Sequence, residues 1–454
     1  METLIISIFV LGYLAITLEH TLRIDKLIPA LGMMAVCWAI ISLGHLNVFN
    51  VDAELHKLVP THLEEILLHH LGKTAEILVF LIGAMTIVEI IDYFDGFSTI
   101  KQFVKTKSRK KLLWIFALLA FILSAIIDNL TATIVLITIL RKIMTSNEDR
   151  IWYASLIVIA ANAGGAWSPI GDVTTTMLWI AKKVSTGELI LRLFIPAVLA
   201  IVVPVLLASR LKPFKGHLET EMEEEEDINP NGSKMLYLGL TAIIFVPIFK
   251  TVTHLPPYVG MMLSLSVVAV FAEMYSNMQI ELTKVNEDAA HSNTGHNPVH
   301  ASLGKIELPS ILFFLGILMA VAALESIGVL FHFAETLTET IPMLGTEMTI
   351  TEGDSISDLV VIILGFASAV IDNVPLVAAS IGMFSEPMDH ELWHFIAYAA
   401  GTGGSMLIIG SAAGVVAMGM EKINFFWYLK NIAWLALVGY LVGAASFMVL
   451  RTIV

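Results

Sequence analysis

Charge is scarce in this chain of 454 residues. Asp, Glu, Lys and Arg together make up 15%, against about a quarter in ordinary soluble proteins. That shortage, beside 57% hydrophobic residues and a mean hydropathy of +0.81, excludes the string of soluble domains that such a length would otherwise hold. It excludes a disordered chain as well. Basic residues are scarcer than acidic ones, 26 against 40, and no basic stripe is present, so a nucleic-acid partner is not expected. The acidity gathers in loops such as Glu221 to Asp227. A single cysteine, Cys37, cannot close an internal disulfide and reads as a small packed side chain. Features of a cleavable leader are also missing: Leu4 to Leu18 follows an acidic start and has no small-residue cleavage site. It is expected to be a retained span.

What remains is a polytopic membrane protein. A crossing helix needs about 20 apolar residues. Suitable stretches lie near 3–20, 28–44, 74–93, 152–181, 188–209, 235–250, 258–275, 309–331, 392–420 and 425–451. Two more, 112–141 and 358–384, are each interrupted near the centre by an Asp-Asn pair. With the N-terminus outside, Arg23, Lys26 and the cluster Lys101 to Lys111 fall inside, as the positive-inside rule asks. Basic groups flank 112–141 at both ends, so a re-entrant hairpin keeps both flanks inside where a single crossing would not. The group Lys182 to Arg192 is left outside.

The chain repeats itself. Ser124-Ala-Ile-Ile-Asp128-Asn129 recurs as Ser368-Ala-Val-Ile-Asp372-Asn373, an offset of 244; Gly164-Gly165 and Gly171 recur as Gly403-Gly404 and Gly410, an offset of 239. Gly32-Met33-Met34 recurs as Gly260-Met261-Met262, and Phe80 and Met85 as Phe314 and Met319. Four matches in the same order point to duplication. The expected architecture is all-α, with two inverted repeats over 1–212 and 235–454, joined by an acidic cytoplasmic linker over 213–234. Each repeat holds five spans, one re-entrant hairpin and one broken helix. Five crossings are odd, so the halves have opposite orientation, as in many secondary transporters.

Chemistry is expected at the breaks. Carboxylates at membrane depth persist only with partners or a wet cavity, and hairpin tips expose backbone carbonyls that need a partner. A hard monovalent cation suits both. The first group is Asp128, Asn129 and Thr131, with Asp372 and Asn373 at the second tip. A helix cap is the competing role for each Asp. The second group lies in Asn162-Ala-Gly-Gly-Ala-Trp-Ser168-Pro-Ile-Gly-Asp172-Val-Thr174-Thr175, where glycines and a proline break the helix. Asn162, Ser168, Asp172, Thr174 and Thr175 would line a polar cavity, with Thr402, Ser405 and Ser411 opposite. Three acids and no Lys or Arg in these motifs favour cations or protons over anions. A carboxylate taken out of water titrates nearer neutrality, so one group can hold either Na⁺ or H⁺ in turn. That competition is itself an exchange mechanism.

Glu89 and Glu325, late in their spans, are lesser candidates for a proton path. The stretch 61–72, with His62, His69 and His70, is amphipathic and expected to lie on the membrane surface. His291, His296 and His300 carry no metal-ligand spacing, and no resident cofactor is expected.

These motifs resemble those of the bacterial sodium/proton antiporters of the NhaD type, within a superfamily that also holds dicarboxylate/sodium symporters. The resemblance implies a homodimer in the bacterial inner membrane, with a scaffold and a moving transport domain. It also implies export of Na⁺ or Li⁺ against inward protons by elevator-like alternating access. The symporters carry Ser-Asn-Thr at the hairpin tips; Asp-Asn-Leu-Thr and Asp-Asn-Val-Pro stand here. A sodium-coupled organic-anion symporter is therefore the second reading. An intramembrane aspartyl protease, which needs Gly-x-Gly-Asp, does not fit Pro169-Ile-Gly-Asp172, and no enzymatic role is expected.

Overall fold

A computed structural model describes residues 1–17, 22, 24–52, 57–101, 104, 106–218, 230–284, 297–332, 358–370, 373–384 and 386–452. Asp372, the acidic run of the linker, His291 and His296 lie outside these residues.

Apolar stretches become helices where the sequence analysis places spans. The first are α1 (Glu2–Thr17), α2 (Leu27–Leu43) and α3 (Leu63–Tyr93). A short turn of helix, α4 (Ser98–Lys101), follows. The stretch 112–141 is the expected pair, α5 (Arg109–Ile127) and α6 (Asn129–Ile143), turning at Asp128. The next span breaks into α7 (Asn147–Gly165) and α8 (Val173–Ile180), and α9 (Thr186–Ala208) closes the first half. The second half runs α10 (Pro230–Thr253), α11 (Pro257–Lys284), the short α12 (Pro298–Leu303) and α13 (Leu308–Ser326). Then come the second hairpin legs α14 (Asp358–Val370) and α15 (Asn373–Met383), and the second broken pair α16 (Glu391–Gly403) and α17 (Ala412–Glu421). A short α18 (Phe425–Asn431) leads into α19 (Ala433–Leu450). Seven of the described helices are long and apolar enough to cross a membrane unbroken.

One expectation is corrected. The stretch 61–72 is not a separate surface helix. Leu63 opens one helix of 31 residues; Glu64 and Glu65 suit its N-terminus, and Gly72 alone is too weak a breaker to divide it. At 1.5 Å per residue the helix is about 46 Å long, longer than the ~30 Å hydrocarbon layer. Ile66 and His70 are buried against its neighbours. Among the described residues the all-α fold also carries one small sheet, in which Val48–Asp52 pairs antiparallel with Lys57–Thr61. The first helix of the second half starts at Pro230, inside the stretch read as linker.

The helices pack as two groups. Helices α1, α2, α3, α10, α11 and α13, the early spans of both halves, form one. Both hairpins, both broken pairs, α9 and α19 form the other. Within the second group the two halves make equivalent contacts. Ser124 Oγ donates to the Ala161 carbonyl at 2.5 Å, and Ser368 Oγ to the Ala400 carbonyl at 2.8 Å. A Cβ on Gly164 would strike the Phe121 carbonyl, and one on Gly403 the Gly365 carbonyl, so in both halves glycine lets a hairpin leg lie directly on the broken helix.

Each broken helix ends against the other half. Glu421, at the end of α17, has a fully buried side chain. It accepts from Arg141 Nε at 2.7 Å, Arg150 Nε at 2.9 Å and Asn147 Nδ2 at 3.0 Å, all at the exit of the first hairpin. After α8, the Lys183 carbonyl accepts from Asp389 N at 2.8 Å, and Ser185 N donates to Asp389 Oδ1 at 2.6 Å, at the exit of the second hairpin. One hairpin thus opens at the start of α7 and the other at the end of α8.

Candidate functional site

Asp128 is the turning point of the first hairpin. Its backbone has φ +82° and ψ 157°, a region held almost entirely by glycine and costly for any other residue. Its carboxylate caps α6: Oδ1 accepts from Thr131 N at 2.8 Å and Oδ2 from Thr131 Oγ1 at 2.9 Å. The cap is therefore real. It does not exhaust the carboxylate, since each oxygen carries about two acceptor sites. The described residues around Asp128 form a small, partly enclosed cavity of about 20 Å³, room for one water-sized occupant. Asp128 and Asp172 both line it, with Thr176 from the broken helix and Phe80, Ile243 and Met261 from the other helical group.

The break between α7 and α8 arises as expected. Gly164, Gly165, Pro169 and Gly171 cannot hold a regular helix, and α8 restarts only after Asp172, which is in extended backbone. Buried amide and hydroxyl groups then link the two halves. Asn129 Nδ2 donates to Asn162 Oδ1 at 3.0 Å. Asn162 Nδ2 in turn donates to Ser405 Oγ and Ser411 Oγ, both at 2.9 Å. Asn373 Nδ2, from the second hairpin tip, donates to Asp172 Oδ2 at 3.0 Å. Ser411 also caps α17 through Gly414 N. Both tips and both breaks therefore meet through Asn129, Asn162, Asp172, Asn373, Ser405 and Ser411. Asn162 is the hub.

The other expected residues are placed differently. Thr174 is fully buried, and its Oγ1 has no partner among the described residues. Thr175 Oγ1 donates to the Asp172 carbonyl at 3.0 Å, bracing the break. Thr402 Oγ1 is bound to the Tyr398 carbonyl one turn back at 2.6 Å. Ser168 accepts from Ile170 N and lines a separate apolar crevice, so it is not gathered with the others. Glu421, with its partners Arg141 and Arg150, is not singled out by the sequence motifs; a lone acid closing an apolar segment is the signal for it.

Chemically the cavity offers carboxylate oxygens and no basic group among its described lining residues. It suits a small hard cation or a proton. An anion would find helix N-termini here but no cationic side chain.

Known proteins agree on the class of molecule. Residues 7–396 match the family described as citrate transporter, CitMHS. Over 98% of its length the chain is 39% identical to a protein of Arabidopsis thaliana named sodium/proton antiporter 1, covering 72% of that protein. It is 37% identical to sodium/proton antiporter 2 of the same plant, covering 98% of it. It is 30% identical to the Na⁺/H⁺ antiporter NhaD of Vibrio cholerae, covering 91% of it. Among solved structures, the YdaH transporter of Alcanivorax borkumensis shares the fold, with a TM-score of 0.57 at 14% identity over 94% of this chain and 97% of that one.

Proposed function

The chain belongs to the CitMHS family and to the antiporters of the NhaD type; from that premise we propose that it exchanges Na⁺ or Li⁺ for H⁺ across a membrane. One observation carries this reading: Asp128 and Asp172, from two different breaks, line the same small cavity, with Thr176 and with no basic group among its described lining residues.

A cation enters, displaces protons from the carboxylates and is held by their oxygens with Thr174 and the freed backbone. On the other side of the membrane protons displace it. Asp372 and Asn373 provide a second site or a proton-carrying partner; Asn373 already reaches Asp172. Alternation comes from the group holding hairpins and broken helices sliding along the group of α2, α3, α10, α11 and α13, as an elevator. The first group belongs to both repeats, which span 1–212 and 235–454 in inverted orientation. The protein works as a homodimer. Bacterial relatives support the bacterial plasma membrane as its location, and plant relatives extend the class beyond it.

The family description, citrate transporter, favours uptake of an organic anion, and the second reading is that such uptake is coupled to sodium. The cavity is lined by two carboxylates and, among the described residues, by no cationic side chain that would partner such an anion. Purified protein in proteoliposomes with an internal pH dye separates the two. Antiport predicts that Na⁺ or Li⁺ dissipates an imposed pH gradient. Labelled dicarboxylate uptake without cation-driven proton movement would overturn antiport in favour of the symporter.

A further inference from the structure

Two residues of the ion cavity have a second neighbour. Ile126 and Ile170 line the small cavity of Asp128 and Asp172, and they also line a crevice of about 610 Å³ on the other side. That crevice lies among the first hairpin leg α5, the break at Trp167 to Ile170, α9 and α10. Ser168 and Thr186 are its hydroxyl-bearing lining residues, and the remainder of the wall is overwhelmingly apolar. Water needs two to four polar partners to fill such a space and is a poor occupant. The crevice continues an apolar surface: Leu118, Ile122, Ile190, Phe194, Ile244 and Ile248 line it and are also outward-exposed residues of the apolar helices α5, α9 and α10. The lipid-facing side of α5, α9 and α10 thus folds inward as far as the partition around the carboxylates.

We propose that an acyl chain of a bilayer phospholipid seats in this crevice and backs the Ile126–Ile170 partition, keeping the ion cavity dry on its membrane side. A hydrocarbon chain suits the apolar walls and the continuity with the lipid face. The partition alone is one layer of isoleucine, and the seated chain thickens it. The crevice also lies between α10 and the group of hairpins and broken helices, so the chain would act as a deformable packing between two bodies that slide. The seat itself follows from the shape and lining of the crevice; its roles at the ion cavity and between the sliding bodies rest on the antiport reading above.

The test uses full-length protein in nanodiscs holding a phospholipid with a photoactivatable diazirine near the end of one acyl chain. Adduct sites are mapped by peptide sequencing as the probe fraction is raised. A seated chain gives adducts on residues 114–126, 190–202 and 244–248 that saturate, while adducts on the outer face of α1 rise in proportion to the probe. The crevice-filling variants Ile190→Trp and Val198→Phe lose the saturable adducts and keep those on α1. Adducts that rise in proportion everywhere in the unaltered protein, or saturable adducts that both fillers leave intact, would overturn the proposal. The saturation curve needs no variant, so poor folding of a filler does not protect the idea. Proton-flux measurements on the same preparations keep the two proposals apart: saturable labelling without any exchange overturns antiport alone, and normal exchange with proportional labelling overturns the seat alone.

Discussion

Asp128 carries two roles that a single substitution can separate. Asn caps helices about as well as Asp, so Asp128→Asn keeps the Thr131 hydrogen bond and loses only the charge. The expected outcome is a folded protein, with an unshifted thermal transition, that no longer dissipates a pH gradient on adding Na⁺ or Li⁺; Asp172→Asn should behave alike. Retained exchange in Asp172→Asn would remove that residue from the ion site. Asn162 tests the hub. Asn162→Ala strands the Asn129 amide and the Ser405 and Ser411 hydroxyls inside the protein, and a lost buried hydrogen bond costs about 1–3 kcal/mol. A lowered melting temperature together with a raised half-saturating Na⁺ concentration is expected. The acids and Asn162 were legible because polar residues inside an apolar run must be explained. The orientation of each side chain was not. Ser168 and Thr402 occupy breaks as polar as those of Ser405 and Ser411, yet Thr402 bonds back to its own helix and Ser168 turns toward the crevice. Which way a residue points from an irregular segment is decided by packing that spans hundreds of residues.

At the level of elements, the hairpins and broken helices could be read from the paired Asp-Asn tips and the clustered glycines, and their bounds fall close to the expected ones. The helix through 61–72 was misread because amphipathic pattern alone does not say whether a neighbour covers the apolar side. The small sheet was missed because its strands of five residues carry no long pattern. The glycine contacts make a symmetrical prediction. Gly164→Ala and Gly403→Ala each push a methyl into a carbonyl of the adjacent hairpin leg, and overpacking of this kind costs about 1–3 kcal/mol. Both should lower thermal stability comparably, measured by tryptophan fluorescence in detergent, if the two halves use the same joint. Glu421 is the stronger case. Breaking a buried ion pair by removing one partner costs roughly 3–5 kcal/mol. Glu421→Gln, which leaves Arg141 and Arg150 without a counter-charge at a buried site, should approach the lower end of that range, since the Arg141 side chain is 44% exposed.

For the whole molecule the issue is what moves. Phe80 of α3 packs edge-on against Trp179 of α8 with ring centroids 6.4 Å apart, and Lys250 of α10 donates to the Trp179 carbonyl at 2.9 Å. These contacts cross between the two helical groups. Lys182 N and Lys250 Nζ both donate to the Trp179 carbonyl from more exposed positions. Joining Lys182→Cys to Lys250→Cys with a short bifunctional thiol reagent, in a Cys37→Ala background, should arrest exchange, and cleaving the bridge should restore it. Unchanged exchange with the bridge shown to be formed would rule out sliding at this interface.

The crossed ends of the broken helices also bear on how the protein is made. Arg141 and Arg150 meet their carboxylate 280 and 271 residues later in the chain. When the first half leaves the ribosome and enters the bilayer, its hairpin exit has two cations and no Glu421. Contacts of such long sequence separation form late. The ion site, built from both halves, therefore has to wait for the final spans before it can close. Until then the nascent protein is a set of inserted helices with an open centre, and membrane quality control has its longest opportunity to act on it. A chain shortened by only the last few dozen residues should be degraded far faster than its small loss of mass suggests, and supplying those residues as a separate peptide segment should slow its turnover.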